Sequence, residues 1–372
     1  MPLKILAISD FRVYHSVRPE AEMFKGLAKI GFDITIMTYG ESKYIGELKQ
    51  AGIHVIDFHP EKKFNRQEIK TIRDVLIQGD YDILHLYNSK SVINGIRAAK
   101  GLPVKIVLYR GFAGHVHWYD PTAYLKYLNP GVDAIVCNSS GVEESIRRHL
   151  IFNKQKSVTI LKGHKLEWYN HYTPIDLKKE FQIPENAFVV INVANYRPMK
   201  GTKYLLEAMN FLPENKPIYL LLVGNDMDNP KNIKLINRIK NKDKIVLAGF
   251  RNDIPNIVAA CQAFVLSSVK GEGLNKAVIE AMALGKPAIV TDIPGNRDLV
   301  VNNTNGWVVP ARNPQELAKA IQYLYDNPER CRQMGINSRK HVETRLNLVN
   351  TIKQHKELYE KLFREKLTDN QK

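Results

Sequence analysis

Short β-rich runs alternate with helical stretches in two separate series along this chain, and no other feature narrows the possible folds as much. In the first series, strands are expected at 4–9, 33–38, 54–58, 83–86, 105–109, 134–138 and 157–161, with helices at 21–30, 44–51, 66–78, 92–100 and 141–150. Residues 163–174 (GHKLEWYNHYTP) break the rhythm. A second series follows, with strands at 188–192, 218–223, 245–247, 263–266, 288–291 and 306–309 and helices at 202–210, 231–240, 254–260, 275–284 and 314–326. Short strands separated by helical patterns make βα units around a parallel sheet. A chain of 372 residues, 44% of them hydrophobic, can bury two such cores. The expected fold is α/β, two doubly wound parallel-sheet domains at 1–168 and 175–345, followed by a last helix within 346–372. In that helix Ile352, Leu358, Leu362 and Phe363 can share one stripe.

Composition narrows the class further. No apolar run approaches the ~18 residues of a membrane span. The opening residues, Met1-Pro2-Leu3-Lys4 into Ile5-Leu6-Ala7-Ile8, read as a first strand and not as a secretory signal. Cys137, Cys261 and Cys331 are odd in number and widely spaced, which suits a reducing cytosol and neither a disulfide frame nor a thiolate zinc site. The formal charge of +16 asks for a negative partner: nucleotide phosphates, anionic lipid headgroups or nucleic acid. With no paired Cys/His finger and no aromatic-basic ribonucleoprotein strand, nucleic acid is not expected. The excess charge is expected either to meet an anionic membrane face or to be a merely soluble basic surface; the chain is expected in the cytoplasm, and in the first case peripheral on the inner membrane face.

The most informative stretch is 267–287, SSVKGEGLNKAVIEAMALGKP, which reads as a strand end, a glycine-rich turn and a short helix stopped by Gly285 and Pro287. Gly271 and Gly273 allow close backbone approach to a ligand, and Asn275 is a cap for the helix. Free N–H groups and the positive end of the helix dipole there form a ready site for phosphate. With Glu272 in the loop, it and Glu280 can look into one cleft and accept hydrogen bonds from sugar hydroxyls. The competing reading makes Lys276 and Glu280 an i,i+4 surface pair and leaves Glu272 solvated. A second strand-turn-helix, Asn195-Tyr196-Arg197-Pro198-Met199-Lys200-Gly201, carries Arg and Lys three apart, an arrangement suited to a diphosphate, the alternative being a turn with two solvated cations.

Glu272-Gly273-Leu274 through Glu280-Ala281-Met282-Ala283 and Gly285-Lys286-Pro287 resembles the acidic signature of the retaining glycosyltransferases of family 4, which share the GT-B fold. The resemblance implies two Rossmann-like domains facing a central cleft, the first binding the acceptor, the second the nucleotide-sugar donor, and the terminal helix returning to the first. It implies Lys200 and an arginine neutralising the leaving diphosphate. The usual arginine position, aligned on Lys200, holds Asn195, and Arg197 is taken as the substitute. By the same resemblance Glu280 holds the ribose, Glu272 holds donor-sugar hydroxyls, and Gly224, Gly249, Phe250, Arg251, Gly273, Leu274, Asn275 and Lys276 complete the donor site. Phe250 serving only the core is the alternative. Ile293 to Asp298 is read as structural. Many relatives place a histidine directly after the strand that ends here at Tyr109. This chain has Arg110 there, with His115 and His117 further along a glycine-flexed loop, and any of the three can take that place. Arg12, His15 and Arg18 in an expected loop at 10–19 are candidate contacts for an anionic acceptor, or else part of a solvated loop.

The expected activity is therefore metal-independent transfer of a sugar, with retention, from a nucleoside-diphosphate sugar to an acceptor hydroxyl on a glycan or glycolipid, in cell-surface polysaccharide or glycolipid synthesis. No cofactor is expected. A GT-B sugar-nucleotide epimerase and a non-catalytic binder of nucleotide sugar or nucleic acid are the rivals.

Overall fold

The computed structural model describes residues 2–151 and 153–369, without the side chains of 14–16 and 369. It divides into two compact units, one of Met1–Gly163 with Leu348–Lys372 and one of His164–Asn347. The first holds a seven-stranded sheet, β1 (Lys4–Ile8), β2 (Asp33–Thr38), β3 (His54–Asp57), β4 (Ile83–Leu86), β5 (Lys105–Arg110), β6 (Ala134–Cys137) and β7 (Ser157–Thr159), in the order β3-β2-β1-β4-β5-β6-β7. The second holds six strands, β8 (Phe188–Val193), β9 (Ile218–Val223), β10 (Ile245–Gly249), β11 (Ala263–Leu266), β12 (Ala288–Thr291) and β13 (Gly306–Val309), in the order β10-β9-β8-β11-β12-β13. Every ladder is parallel; Ile5 pairs with Ile34 on one side and Ile83 on the other.

Parallel strands covered on both faces carry unbroken apolar runs. Ile5 to Ile8 and Ala263 to Leu266 are buried at every position for this reason. In the second unit Leu205, Leu206, Leu317 and Ile321 from flanking helices close over Val190, Leu220, Leu222 and Val265 of the sheet. Strand order reverses between β1 and β4 in one unit and between β8 and β11 in the other. At such a reversal successive connections run to opposite faces, which leaves a crevice outside the carboxyl ends of the strands.

Two local expectations need correction. The expected loop at 10–19 is helical from Tyr14, in a helix running to Lys29 with Pro19 inside. Pro19 removes one ladder bond in the second turn, yet buried Ala21, Phe24 and Leu27 hold the helix against the sheet. The terminal helix Leu348–Asp369 turns inward a different stripe from the expected one: Thr351, His355, Tyr359, Leu362 and Lys366 are buried, while Ile352 and Leu358 are only partly covered. Polar tips can point inward here because they find partners. The Tyr359 hydroxyl and His85 Nδ1 are hydrogen-bonded at 2.6 Å, and Lys366 Nζ donates to Asp82 Oδ1 at 2.7 Å.

The helix is thus fixed by specific buried bonds as well as by apolar contact. Tyr359→Phe should lower the stability of the first unit by about 1–3 kcal/mol, because His85 is left short of a close partner in a dry site. Urea denaturation followed by far-UV circular dichroism measures this; an unchanged midpoint would refute the role given to the bond.

Candidate functional site

The crevice of the second unit lies where β8 and β11 end, and two turns meet there. The turn after β8 is tied to its neighbour after β9: Asn195 Oδ1 accepts the Asn225 N–H at 3.0 Å, and Tyr196 N–H donates to Asn225 O at 2.9 Å. It then makes one 3-10 turn, Pro198–Lys200, and enters the helix Thr202–Ala208 through Gly201. Gly201 has φ +66°, and a Cβ there would lie 2.0 Å from the Ser267 carbonyl oxygen. Only glycine lets the two turns come this close. Val269 N–H donates to Met199 O at 2.8 Å and Ser267 Oγ to Lys200 O at 3.0 Å, zipping the turns together.

Glu272 sits at the centre of this junction and is buried. Its Oε1 accepts from Lys200 Nζ and from Ser268 Oγ, both at 2.6 Å, and its Oε2 from Asn275 Nδ2 at 3.2 Å. The expectation that Glu272 might merely be solvated is therefore set aside. The i,i+4 pair is present, however: Lys276 Nζ donates to Glu280 Oε1. Asn275 caps the helix Lys276–Ala283, its Oδ1 accepting the Val278 N–H at 3.3 Å. Behind the turn, Gly295 is so close that a Cβ would stand 2.4 Å from Glu272 O, and Thr291 Oγ1 donates to Ser268 O. Residues 293–296 thus brace the acidic turn from below.

Two features of this junction suit an anion. The backbone N–H groups of residues 273–277 have no acceptor among the described residues. Arg197 is exposed, and its side chain makes no hydrogen bond or ion pair among them either. A row of free amides at a helix start, with a free guanidinium carried by the neighbouring turn, suits a diphosphate chemically.

The other donor candidates extend the same crest. Gly224 N–H donates to Gly249 O at 2.8 Å, joining the ends of β9 and β10. From β10 to β11 the crest spans three strand spacings, about 14 Å, enough for a nucleoside diphosphate with its sugar. Phe250 is 61% exposed, so the alternative of a core phenylalanine is corrected. Arg251 is held by Asp253 at 2.8 and 2.7 Å and by Glu180 at 2.5 Å, and so points toward the segment before β8. Gly273 and Leu274 are buried within the acidic turn.

In the first unit the candidates are dispersed. Arg12 is engaged by Asp10 at 2.8 Å and lies 3.7 Å over the Tyr39 ring; in return its guanidinium holds the Asp10 carboxyl below the usual range. Arg18 is half-buried on the helix Tyr14–Lys29 and has a partner, and the His15 side chain lies outside the described residues. Arg110 ends β5 and is buried, its guanidinium 4.4 Å from the Phe112 ring and 4.5 Å from that of Tyr127, donating to Gly114 O. His115 is exposed with φ +59°. His117 stacks on Tyr119 at 5.0 Å and meets His149 edge-on at 5.0 Å. Of these three, only Arg110 combines burial with a place at the carboxyl end of a strand.

Sequence reading missed Glu20, which is buried and whose Oε1 has no hydrogen-bond partner. It shares the inward face with Phe24 and Leu27, and that spacing was the available signal. Glu20 lines a cavity of about 20 Å³ with Tyr87, Tyr109, Lys162 and His355. Burial pushes its carboxyl up to about 7, against the pull of Lys162. A carboxyl raised on folding contributes stability below its ordinary range and loses it as pH climbs toward 7. Glu20→Gln should therefore gain stability relative to the natural chain between about pH 5 and pH 8. Parallel urea titrations across that window check this, and a constant difference would contradict it.

Comparison with known proteins covers both units. Residues 21–168 match the family model described as Glycosyltransferase Family 4, and residues 175–341 the model described as Glycosyl transferases group 1. The chain is 28% identical over 295 residues, 75% of each chain, to the Escherichia coli UDP-Gal:alpha-D-GlcNAc-diphosphoundecaprenol alpha-1,3-galactosyltransferase. It is 25% identical over 369 residues, 93% of each, to the putative glycosyltransferase EpsD of Bacillus subtilis (strain 168). Among solved structures it resembles a glycosyltransferase from Rickettsia africae ESF-5, with TM-score 0.82, 22% identity and coverage of 97% and 98%. It also resembles Anabaena Alr3699/HepE in complex with UDP, with TM-score 0.79, 19% identity and coverage of 97% and 100%.

Proposed function

We propose that this chain, which belongs to the family 4 glycosyltransferases of GT-B fold, moves a sugar from a nucleoside-diphosphate donor to an acceptor hydroxyl with retention and without a metal. The observation that carries this reading is the junction of the 195–201 and 267–275 turns. There, Lys200, Arg197 and the free amides of 273–277 surround a place for phosphate beside the buried Glu272. As the bond from the anomeric carbon to the diphosphate breaks, negative charge grows on the leaving oxygen. Fixed cations and amides already oriented toward that charge stabilise it without reorganisation. Lys200 has three N–H donors, one of them used by Glu272, so the others are available to phosphate.

Glu272, held by three side-chain donors, presents a fixed carboxylate to donor-sugar hydroxyls, and Glu280 exchanges Lys276 for the ribose diol. Neither acts as a nucleophile. The acceptor oxygen attacks the anomeric carbon from the face the diphosphate leaves, and its proton passes to the departing phosphate oxygen. Gly224, Gly249 and Phe250 receive the base. Acceptor recognition falls to the first unit, with Arg110 in the place of the usual family histidine and Arg12 and Arg18 as further candidate contacts from the segment after β1.

UDP is the first donor base to test, because the E. coli relative is named for UDP-Gal and HepE was solved with UDP. The E. coli name also specifies a diphosphoundecaprenol acceptor, which together with the charge of +16 favours a lipid-linked glycan acceptor at an anionic membrane face. Among the described residues no helix is long and apolar enough to cross a membrane.

Lys200→Ala and Glu280→Ala should each lower sugar transfer at least tenfold, about 1.4 kcal/mol of transition-state stabilisation. Product formation from radiolabelled UDP-sugars and a glycolipid acceptor measures this, and near-natural rates in both variants would remove the site assignment. Transfer should also persist in excess EDTA. Loss of activity restored by a divalent cation would overturn the metal-independent reading.

A further inference from the structure

The second unit carries another concavity, of about 770 Å³, at the opposite ends of the strands that form the donor crest. Phe188 is the first residue of β8, and Gln262 and Pro287 directly precede β11 and β12. The helix Pro328–Thr344 forms one wall, presenting Ile336, Arg339 and Lys340 from successive turns. The lining is apolar in its body, with Phe188, Pro287 and a half-exposed Ile336, but its charge is unbalanced. Four cations, Lys286, Arg332, Arg339 and Lys340, face one carboxylate, Glu343.

Two of those cations are committed elsewhere. Arg332 is held by Glu329 at 2.9 Å, and Arg339 by Asn170 Oδ1 at 2.7 Å and the Ala283 carbonyl. Lys286 and Lys340 are not. Lys286 Nζ reaches one acceptor, Ala259 O at 2.8 Å, and makes no ion pair among the described residues. An ammonium has three donors, and the two that Ala259 leaves unfilled are available to an anion in the concavity. The nearby thiols of Cys261 and Cys331 supply no counter-charge, since burial pushes them up to about 12 and about 11. Lys340 is exposed, with no side-chain partner among the described residues.

We propose that this concavity binds an amphipathic phosphate, its head on Lys286 and Lys340 and its apolar body against Phe188, Pro287 and Ile336. A tetrahedral dianion suits two point charges better than a planar carboxylate, which fits the fork of an arginine. The site is separate from the donor crest, because the length of β8 lies between them. It takes no part in the transfer chemistry.

Octyl phosphate, titrated into the full chain by isothermal calorimetry below its aggregation concentration, is the probe. Saturable one-to-one binding is expected, at least tenfold tighter than that of octyl glucoside or of inorganic phosphate. Lys286→Met should weaken it at least tenfold and Lys340→Glu at least threefold, while Lys200→Ala leaves it unchanged. Lys340 is exposed, so the second variant keeps the test open should Lys286→Met fail to fold by circular dichroism. Absence of saturation, equal affinity for octyl glucoside, or loss of binding in Lys200→Ala would each overturn the proposal.

Discussion

The contact between Lys200 Nζ and Glu272 Oε1, at 2.6 Å, holds together the two turns on which the second unit's site is built. Both side chains are largely withdrawn from water, so their attraction is offset by desolvation and the pair adds little to net stability. Its consequence is positional. Glu272 gains two further donors from Ser268 and Asn275, which leaves its carboxylate in one orientation. Gly201 against the Ser267 carbonyl imposes the same closeness through the backbone. Together these contacts fix where the amide row of 273–277 stands relative to the turn that carries Arg197.

Much of this was legible in the sequence, and the reason is the kind of sheet involved. Core strands of parallel sheets are short continuous apolar runs, so β9, β11, β12 and β13 were bounded to the residue. Lys200, Glu272 and Asn275 stand out because they sit in strand-to-helix turns, while Gly224 is named only through the family resemblance. The bond between Lys200 and Glu272 could not be foreseen, because 72 residues separate them and only the reversal of strand order at β8 makes them neighbours. The segment 14–19 is helical against the expectation of a loop, although a proline such as Pro19 marks a helix boundary more often than it interrupts a helix. In the last helix the expected stripe includes neither His355 nor Tyr359, yet hydrogen-bonded tips let their rings pack inside.

Charge in this molecule divides into cations that are occupied and cations that are available. Arg12, Arg251 and Arg339 have acceptors of their own, and their places in the fold are explained by those partners. Among the described residues the Arg197 and Lys340 side chains have no partner and Lys286 has only the Ala259 carbonyl, and the three stand at two opposite ends of one sheet. The short helix Lys276–Ala283, about 12 Å long, runs between the two places, from the capped end at Asn275 toward Gly285 and Lys286. A net charge of +16 gains meaning only through this distinction. Most of it is solvated surface, and a few uncommitted groups point to ligands.

The central claim is that a nucleoside diphosphate sits across the ends of β8 and β11. Amide hydrogen exchange with and without saturating UDP, read by mass spectrometry at peptide resolution, addresses it most directly. Slower exchange confined mainly to peptides spanning 194–201 and 271–278 is the expected result. Saturation with UDP that leaves those peptides unchanged while protecting others would contradict the claim.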